Sequence, residues 1–385
     1  MVRMRCRSAS NLLHVSLLLV FLLEIGLVPA VAQEVIPADK GRKDAAAPTL
    51  WYDIKLLGVE GQAWSELAAP FDRFPAKAQG KVRDAVWGLS RNSAGLCVRF
   101  ITDAPQIQAE WELTSASLAM PHMPATGVSG LDLYVRDEKG VWRWVANGRP
   151  GAQKNTATLA GGLEKKPREY LLYLPLYNGV KSVELGLPSD SQLQKAKPYP
   201  AGHEKPIVFY GTSITQGGCA SRPGMVHTAI IGRWLDFPVV NLGFSGNGQM
   251  ELPVAELMAE IDASVYVIDC LPNIGAAQVK ERTEPLVKLL REKRPGTPIL
   301  LVEDRTFSDA FINLGKQKHH EGSRTELKAA FDRLKAAGVT NLYYLTGDHL
   351  LGEDNEGTVD SSHPTDLGFW RQAQAFTDAL RPILK

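Results

Sequence analysis

The stretch from residue 50 to residue 188 contains short segments in which apolar and polar residues alternate. The clearest of them are 96–100, 107–113, 131–135 and 169–174. A period of two is typical of β-strands that bury one face, and Gly, Pro and Asn residues between the segments favour turns. Many short strands at this spacing indicate a β-sandwich of the jelly-roll kind. We therefore predict an all-β first domain over residues 50–188.

From residue 206 onward, apolar runs are each followed by a segment with helical periodicity. The predicted strands are 206–210, 238–242, 265–269, 298–302 and 341–345. The predicted helices are 225–235, 254–261, 276–293, 323–337 and 365–380. Apolar strands that alternate with helices indicate a parallel sheet covered on both faces. We therefore predict an α/β second domain over 206–385, joined to the first by a Lys-, Pro- and Gln-rich linker at 189–205.

The N-terminus has the composition of a secretory signal. Three arginines precede a mostly apolar run at 12–28, and Ala30-Val31-Ala32 offers the small residues that a signal peptidase requires. We predict a signal peptide over 1–32, cleavage near Ala32/Gln33, and a secreted or periplasmic protein. The alternative is an uncleaved membrane anchor, for which the apolar run is short. Residues 33–49 lack periodicity, which predicts a flexible leader.

Charge and cysteine content exclude several classes of protein. The formal net charge is +1, and the loss of three arginines and one glutamate with the signal would bring it to −1. This balance does not favour nucleic acid as a partner, and no stable membrane insertion is expected after cleavage. Three cysteines would remain without a CxxC pair, so neither a disulfide framework nor a zinc site is expected. Cys219 and Cys270 are either bridged or free, and His319-His320 is more typical of a solvated loop than of a metal site.

Small and polar residues follow the predicted strands of the second domain. The first strand leads to Gly211-Thr212-Ser213, the second to Gly243–Gly248 and the third to Asn273. The last strand leads through a loop to Asp360-Ser361-Ser362-His363. The carboxyl ends of parallel strands share one edge of a sheet, and open α/β sheets bind their ligands there. We therefore expect these segments to lie close together.

The residue types at this edge suit nucleophilic attack on a carbonyl group. A serine hydroxyl is a weak nucleophile, so Ser213 needs a base, which His363 oriented by Asp360 can supply. The backbone N–H groups of Ser213 and Gly246 and the side-chain amide of Asn273 can form an oxyanion hole. Each motif alone is more often structural than catalytic, but their conjunction in this order favours a Ser-His-Asp acyl-enzyme mechanism. That mechanism requires neither a cofactor nor a metal.

Four segments of the second domain resemble the four conserved blocks of the SGNH (GDSL-like) hydrolases. They are Gly211-Thr212-Ser213, Gly246, Asn273 and Asp360-x-x-His363. The resemblance spans about residues 206–385 and implies a three-layer, flavodoxin-like fold with a five-stranded parallel sheet. It also implies an esterase or lipase activity. An ordinary α/β-hydrolase is disfavoured because the chain has no G-x-S-x-G motif.

Two positions depart from the family pattern. Thr212 stands where the GDSL motif has Asp, a position outside the triad. Pro272-Asn273-Ile274 stands where Gly-x-Asn-Asp is usual. The Asn is kept and the following Asp is lost, so we expect a different support for the Asn273 amide and no loss of the donor.

The first domain carries a resemblance of its own. Gly130-Leu131-Asp132-Leu133-Tyr134 is similar to the GxDLY signature of the β-domain that precedes certain bacterial SGNH hydrolases. Together the two resemblances imply a bacterial, secreted serine esterase that acts on a small-molecule or polysaccharide ester. The substrate favoured is an O-acetyl group on carbohydrate. The alternatives are a lipid or aryl esterase of the same family, or a glycan-binding protein with an inactive hydrolase domain.

Overall fold

The computed structural model describes Met1 and residues 33–385, and in it the first domain consists of two antiparallel sheets of five strands each. The strands are β1 (Arg42–Lys43), β2 (Thr49–Asp53), β3 (Cys97–Thr102), β4 (Ile107–Leu113), β5 (Leu131–Arg136), β6 (Trp142–Gly148), β7 (Lys154–Ala160), β8 (Arg168–Tyr173), β9 (Val180–Pro188) and β10 (Leu193–Lys195). One sheet has the order β1-β2-β9-β4-β7, and the other has the order β10-β3-β8-β5-β6. The predicted all-β first domain is confirmed.

Burial along the strands follows the sequence pattern that predicted them. In β4, every second residue from Ile107 to Leu113 is buried and the residues between them are half-buried. Trp111 is fully buried in this row, and its indole N–H donates to the Ser129 carbonyl at 3.2 Å. Trp51 is also buried in the first domain, whereas Trp144 is 49% exposed. Trp51 and Trp111 therefore lie in the core of this domain, and Trp144 is available at the surface.

The two segments that flank the predicted first domain pack on it. Ile36 is buried, and β1 pairs with β2, although 33–49 was expected to be a flexible leader. The predicted linker 189–205 contains β10, which pairs with β3. Neither segment has a period of its own because each adds only a short strand to an existing sheet edge.

The predicted signal peptide, residues 1–32, lies outside the described residues apart from Met1. In the part of the chain from Gln33 onward, no helix is both long and apolar enough to cross a membrane.

A five-stranded parallel sheet forms the centre of the second domain, as predicted. Its strands are β11 (Ile207–Gly211), β12 (Val239–Gly243), β13 (Val265–Asp269), β14 (Ile299–Val302) and β15 (Leu342–Leu345). The order is β12-β11-β13-β14-β15, which is the flavodoxin-like arrangement. Gly211 pairs with Gly243 on one side and with Asp269 on the other. Three strands therefore end in register, and the segments that follow them share one edge.

Helices cover both faces of this sheet. The helices of the second domain are α3 (Ser213–Gln216), α4 (His227–Leu235), α5 (Leu252–Met258), α6 (Ala276–Lys293), α7 (Leu314–Ala336) and α8 (Asp366–Leu380). The first domain has the short helices α1 (Asp84–Ser90) and α2 (Ala125–Val128). The α/β prediction is confirmed, and α6 has the bounds predicted for it.

Helix α7 begins earlier than the sequence indicates. Its first turns are polar and carry no apolar period, so the prediction began only at Ser323. Asn313 caps the helix by accepting the Lys316 N–H at 3.2 Å. The expectation that His319-His320 lies in a solvated loop is wrong: both are helical, and His320 is buried and accepts the Phe307 N–H at 3.0 Å.

The first domain packs directly on the parallel sheet. Arg73 is 1% exposed, and its guanidinium donates to the carbonyls of Asn241 and Gly243 at 3.0 and 2.7 Å. Phe74 packs on Phe244, with ring centroids 5.1 Å apart. Burial lowers the pKa of Arg73 to about 9. The end of β12 is thus bound by a cation from the first domain, and the two domains share a core.

Candidate active site

Strand β11 ends in a tight turn that presents Ser213. A Cβ on Gly211 would lie 2.0 Å from the Thr215 hydroxyl oxygen, so only glycine fits where the chain turns back on the strand. Thr212 caps α3 by accepting the Ile214 N–H at 3.3 Å. Thr212 therefore has a structural task of its own at the position where the family motif has Asp.

The structure brings Ser213, His363 and Asp360 into one hydrogen-bonded chain. The Ser213 hydroxyl oxygen lies 2.8 Å from His363 Nε2, and His363 Nδ1 lies 2.8 Å from Asp360 Oδ2. Because the carboxylate accepts the Nδ1 proton, Nε2 is left with a lone pair that can accept the proton of Ser213. The structure therefore brings the three predicted residues together, and their roles as nucleophile, base and orienting carboxylate stay predictions.

Asp360 is held in its ionised form by its own loop. Its Oδ1 accepts the backbone N–H groups of Ser362 and His363 at 3.1 and 2.8 Å. Burial acts to raise the pKa of Asp360, but the hydrogen bonds from the His363 backbone and ring hold it below its ordinary value. The carboxylate is therefore charged at neutral pH, which fixes the tautomer of His363.

The turn after β12 lies against the turn of the nucleophile. The Phe244 N–H donates to the Gly211 carbonyl at 3.0 Å, and the Ser245 N–H donates to the Gln216 side chain at 3.0 Å. Gly246 has a φ of +68°, which favours glycine, and a Cβ there would meet nothing within 4 Å. Among the described residues, the N–H groups of Ser213 and Gly246 donate to no protein atom. Both are thus available to a developing oxyanion.

The Asn273 side chain is oriented by a backbone donor. Its Oδ1 accepts the Gly248 N–H at 3.2 Å, whereas its Nδ2 amide has no acceptor in the described part of the protein. Because Oδ1 is engaged, the donor end of the amide points away from Gly248. The Gly248 N–H thus supports the Asn273 amide, and a change of this support relative to the family stays a prediction. Asn273 remains a candidate oxyanion donor.

Replacement of Asn273 by alanine is expected to lower kcat by about 10²–10³-fold with little change in KM, because the lost donor acts on charge that develops in the transition state. Steady-state kinetics on p-nitrophenyl acetate measure this. Asn247→Ala is the matched control, because its amide oxygen accepts from Arg83 at 2.7 Å instead. An effect of Asn273→Ala confined to KM would assign it to substrate binding.

A buried charged layer lies beneath the His363 loop. Arg305 is 1% exposed, pairs with Asp304 at 3.2 Å, and donates its Nε–H to the Ser362 carbonyl at 3.3 Å. Asp269, at the end of β13, accepts the Thr215 hydroxyl at 3.3 Å. Burial raises the pKa of Asp269 to about 7, opposed by the charge of Arg305. The Asp304–Arg305 pair thus supports Ser362, the residue before His363.

Residues of the first domain also support the site: Tyr177, which belongs to no motif found in the sequence, and Asp132 of the GxDLY segment. The Tyr177 hydroxyl donates to the Ser213 carbonyl at 3.0 Å. Asp132 of the GxDLY segment is fully buried and accepts from Arg222 and from the Gly224 N–H, both at 2.8 Å. The motif therefore anchors the first domain to the segment that follows α3.

Three cysteines of the described residues are buried and free: Cys97, Cys219 and Cys270. Of the two alternatives left open by the sequence, the structure has free thiols. Burial, together with the charge of Asp360, raises the pKa of the Cys219 thiol to about 12.

A family model of the GDSL-like lipase/acylhydrolase family matches residues 204–381, and a model of the GxDLY N-terminus of SGNH-type esterases matches residues 49–193. No curated protein matches the sequence.

Three solved structures illustrate the relationship. A GDSL-like lipase from Bacteroides ovatus is 35% identical with a TM-score of 0.82, covering 87% of this chain and 98% of that one. The salicylyl-acyltransferase SsfX3 from a tetracycline biosynthetic pathway is 19% identical with a TM-score of 0.67, covering 92% and 98%. A family two carbohydrate esterase from Clostridium thermocellum, in complex with cellohexaose, is 15% identical with a TM-score of 0.53, covering 74% and 91%. The last two show similarity of fold alone. The Bacteroides ovatus structure, at 35% identity over 87% of this chain, and the two family models show the family: the chain belongs to the GDSL-like lipase/acylhydrolase (SGNH) family and carries its GxDLY N-terminal domain.

Proposed function

We propose that this protein is a serine esterase that removes small acyl groups, acetyl above all, from hydroxyls of carbohydrate. The observation that carries the proposal is the hydrogen-bonded chain from Ser213 through His363 to Asp360, with both contacts at 2.8 Å. It lies at the edge of the parallel sheet where the unpaired N–H groups of Ser213 and Gly246 also lie.

The proposed reaction has two steps. His363 Nε2 takes the proton of Ser213 as the hydroxyl oxygen attacks the ester carbonyl, and the oxyanion is stabilised by the N–H donors and the Asn273 amide. The tetrahedral intermediate collapses to an acyl-serine, and the leaving alcohol takes the proton from His363. Water, deprotonated by His363, then attacks the acyl-serine, and His363 returns the proton to the Ser213 oxygen as the acid is released.

Binding of a carbohydrate chain is supported by a surface groove where the two domains meet, whose lining includes no residue of the triad or of the proposed oxyanion hole. The groove has a volume of about 610 Å³. Trp144 and Trp370, 49% and 43% exposed, line it together with Arg222. Exposed aromatic faces suit sugar rings, which present apolar C–H groups on one side. A carbohydrate esterase with bound cellohexaose is also among the proteins of similar fold.

The experiment is acetate release from a panel of acetylated polysaccharides and acetylated sialic acids, beside p-nitrophenyl esters of increasing acyl length. We expect release from at least one acetylated glycan and a fall in kcat/KM as the acyl chain lengthens beyond acetyl. Heat-inactivated protein is the control. Activity that rises with acyl length, with no acetate released from any glycan, would contradict the carbohydrate substrate.

A lipid or aryl esterase is the second candidate, and one observation favours it. Phe311 and Ile312 lie on the loop before α7, Leu314 is the first residue of α7, and each of the three is about 70% exposed. The Ser308 N–H of the same loop donates to the Ser361 carbonyl at 3.0 Å. Apolar side chains at this place could contact a long acyl or aryl group, and the acyl-length series separates the two substrates.

The reactivity of Ser213 distinguishes an active esterase from a glycan-binding protein with an inactive hydrolase domain. A fluorophosphonate reacts with a serine that has a working base, and the intact triad leads us to expect labelling.

We also propose that the protein is secreted, which is supported by the composition of residues 1–32.

A further inference from the structure

A histidine of the first domain lies beside the histidine of the triad. His122 is on a short turn closed by two backbone hydrogen bonds between Met120 and Met123, at 3.0 and 3.1 Å. Met123 is buried, which fixes the turn, while His122 is exposed. The ring centroids of His122 and His363 are 5.8 Å apart. The imidazole of His122 is therefore close to the triad without a hydrogen bond to it.

Cys219 completes the group from the other side. One ligand atom each of His122, Cys219 and His363 lie within 4.8 Å of one another. Cys219 follows α3 in the left-handed conformation, with a φ of 74°, and its thiol is free. Two imidazoles and a thiol are thus gathered from three distant parts of the chain.

Contacts outside the three side chains hold the segment after His122 against the segment after Cys219. The Thr126 hydroxyl donates to the Ser221 carbonyl at 2.6 Å. Gly127 packs so closely on Ala220 that a Cβ would lie 2.2 Å from its carbonyl oxygen. The turn of His122 is therefore fixed against the segment of Cys219, and the spacing of the group follows from domain packing.

We propose that His122, Cys219 and His363 bind a zinc ion, and that this ion switches the esterase off. Zinc favours tetrahedral nitrogen and thiolate ligands at about 2.0–2.1 and 2.3 Å. Those bond lengths place the ligand atoms roughly 3.3–3.6 Å apart. The three ligand atoms have to move about 1 Å closer together. The exposed His122 side chain can provide that movement by rotating about its side-chain bonds.

The hydrogen bond from His363 to Asp360 decides which atom binds the metal. Nδ1 donates to the carboxylate at 2.8 Å, so Nε2 carries the lone pair. A carboxylate behind a histidine is the usual support of a zinc ligand. As the zinc–sulfur bond forms, the Cys219 thiol loses its proton to solvent.

Zinc and catalysis compete for this one lone pair. Nε2 bound to zinc cannot accept the proton of Ser213, 2.8 Å away, so the nucleophile is no longer activated. The sequence predicted no metal site because His122, Cys219 and His363 are far apart along the chain and do not have the spacing of a zinc motif. The inhibition rests on the proposed function, whereas the binding of zinc does not.

The first test is inhibition of p-nitrophenyl acetate hydrolysis by zinc, reversed by EDTA. We expect His122→Ala and Cys219→Ser to keep the metal-free activity and to raise the half-inhibitory zinc concentration at least about tenfold, since even loss of a supporting group costs 10–100-fold in affinity. His349→Ala is the control, because it removes an exposed histidine outside the group. Equal inhibition of all four proteins, or none of the wild type, would overturn the proposal.

The second test measures binding without activity. Cobalt(II) in place of zinc is expected to give a thiolate-to-metal charge-transfer band with the wild type and with Ser213→Ala, because Ser213 is not a ligand. Cys219→Ser should lack the band. A band together with no esterase activity would reject the proposed function alone, and no band in either of the first two proteins would reject the zinc site.

Discussion

Replacement of Ser213 by alanine is expected to lower kcat on p-nitrophenyl acetate by about 10⁴-fold or more. Such a loss corresponds to about 5.4 kcal/mol of transition-state stabilisation. The reason is that the Ser213 hydroxyl oxygen forms the covalent bond to the acyl group. No second hydroxyl contacts His363 Nε2 among the described residues. Steady-state kinetics and fluorophosphonate labelling measure the effect.

The control for Ser213→Ala is Ser245→Ala. Ser245 lies on the adjoining turn, is linked to the site through its backbone N–H, and has no hydrogen bond to His363. It should keep its activity and its labelling. Both variants should melt as the wild type does, because Ser213 loses only a hydroxyl. Turnover of Ser213→Ala near that of the wild type would refute the proposed nucleophile.

The second large effect is expected for Asp360→Asn, which should lower kcat by about 10⁴-fold. An amide can donate to His363 Nδ1, which would place the ring proton on Nε2. In that tautomer Nε2 has no lone pair for the Ser213 proton, although the contact of 2.8 Å can persist. Kinetics combined with a structure of the variant would show lost activity with retained geometry.

Asp354→Asn is the matched control for Asp360→Asn. Asp354 lies on the same loop, but its carboxylate pairs with Arg371 at 2.7 Å and not with the triad. It should cost little activity. If Asp360→Asn retained most of the wild-type rate, the proposed orientation of His363 by Asp360 would be wrong.

The lowered pKa of Asp360 also makes the folding stability depend on pH. Because its pKa is lower in the folded protein than in the unfolded chain, the ionised group favours folding above its ordinary pKa of about 4. That contribution is lost as the pH falls through the folded pKa. The group is partly exposed to solvent, at 41% of its side chain, so the stability change of Asp360→Asn should be small beside the change in rate.

Much of the fold could be predicted from local patterns. The alternation in β4 and the apolar run of β13 reflect burial on one or both faces, and both strands have the predicted bounds. Where an element is polar, as in the first turns of α7, the pattern carried no signal. The same holds for β10, which is too short to show a period.

The candidate site could be assembled because of one topological rule. Once the strands are parallel, Ser213, Gly246 and Asn273 must follow strand ends at the same edge, and the structure links their turns by hydrogen bonds. Their catalytic roles remain predictions that the substitutions above test. The role of Arg305 beneath the His363 loop could not be read in this way, because it depends on the side-chain conformation of a buried charge.

By itself, the sequence determined the two kinds of secondary structure, their order along the chain, and the residues at the tips of the parallel strands. These follow from side-chain polarity, which acts over a few neighbouring residues. Only the tertiary structure decided that Tyr177 supports Ser213, that Asp132 anchors the two domains, and that His122 and Cys219 flank His363. These contacts join segments far apart in the chain, and they depend on how two domains pack, which no local period records.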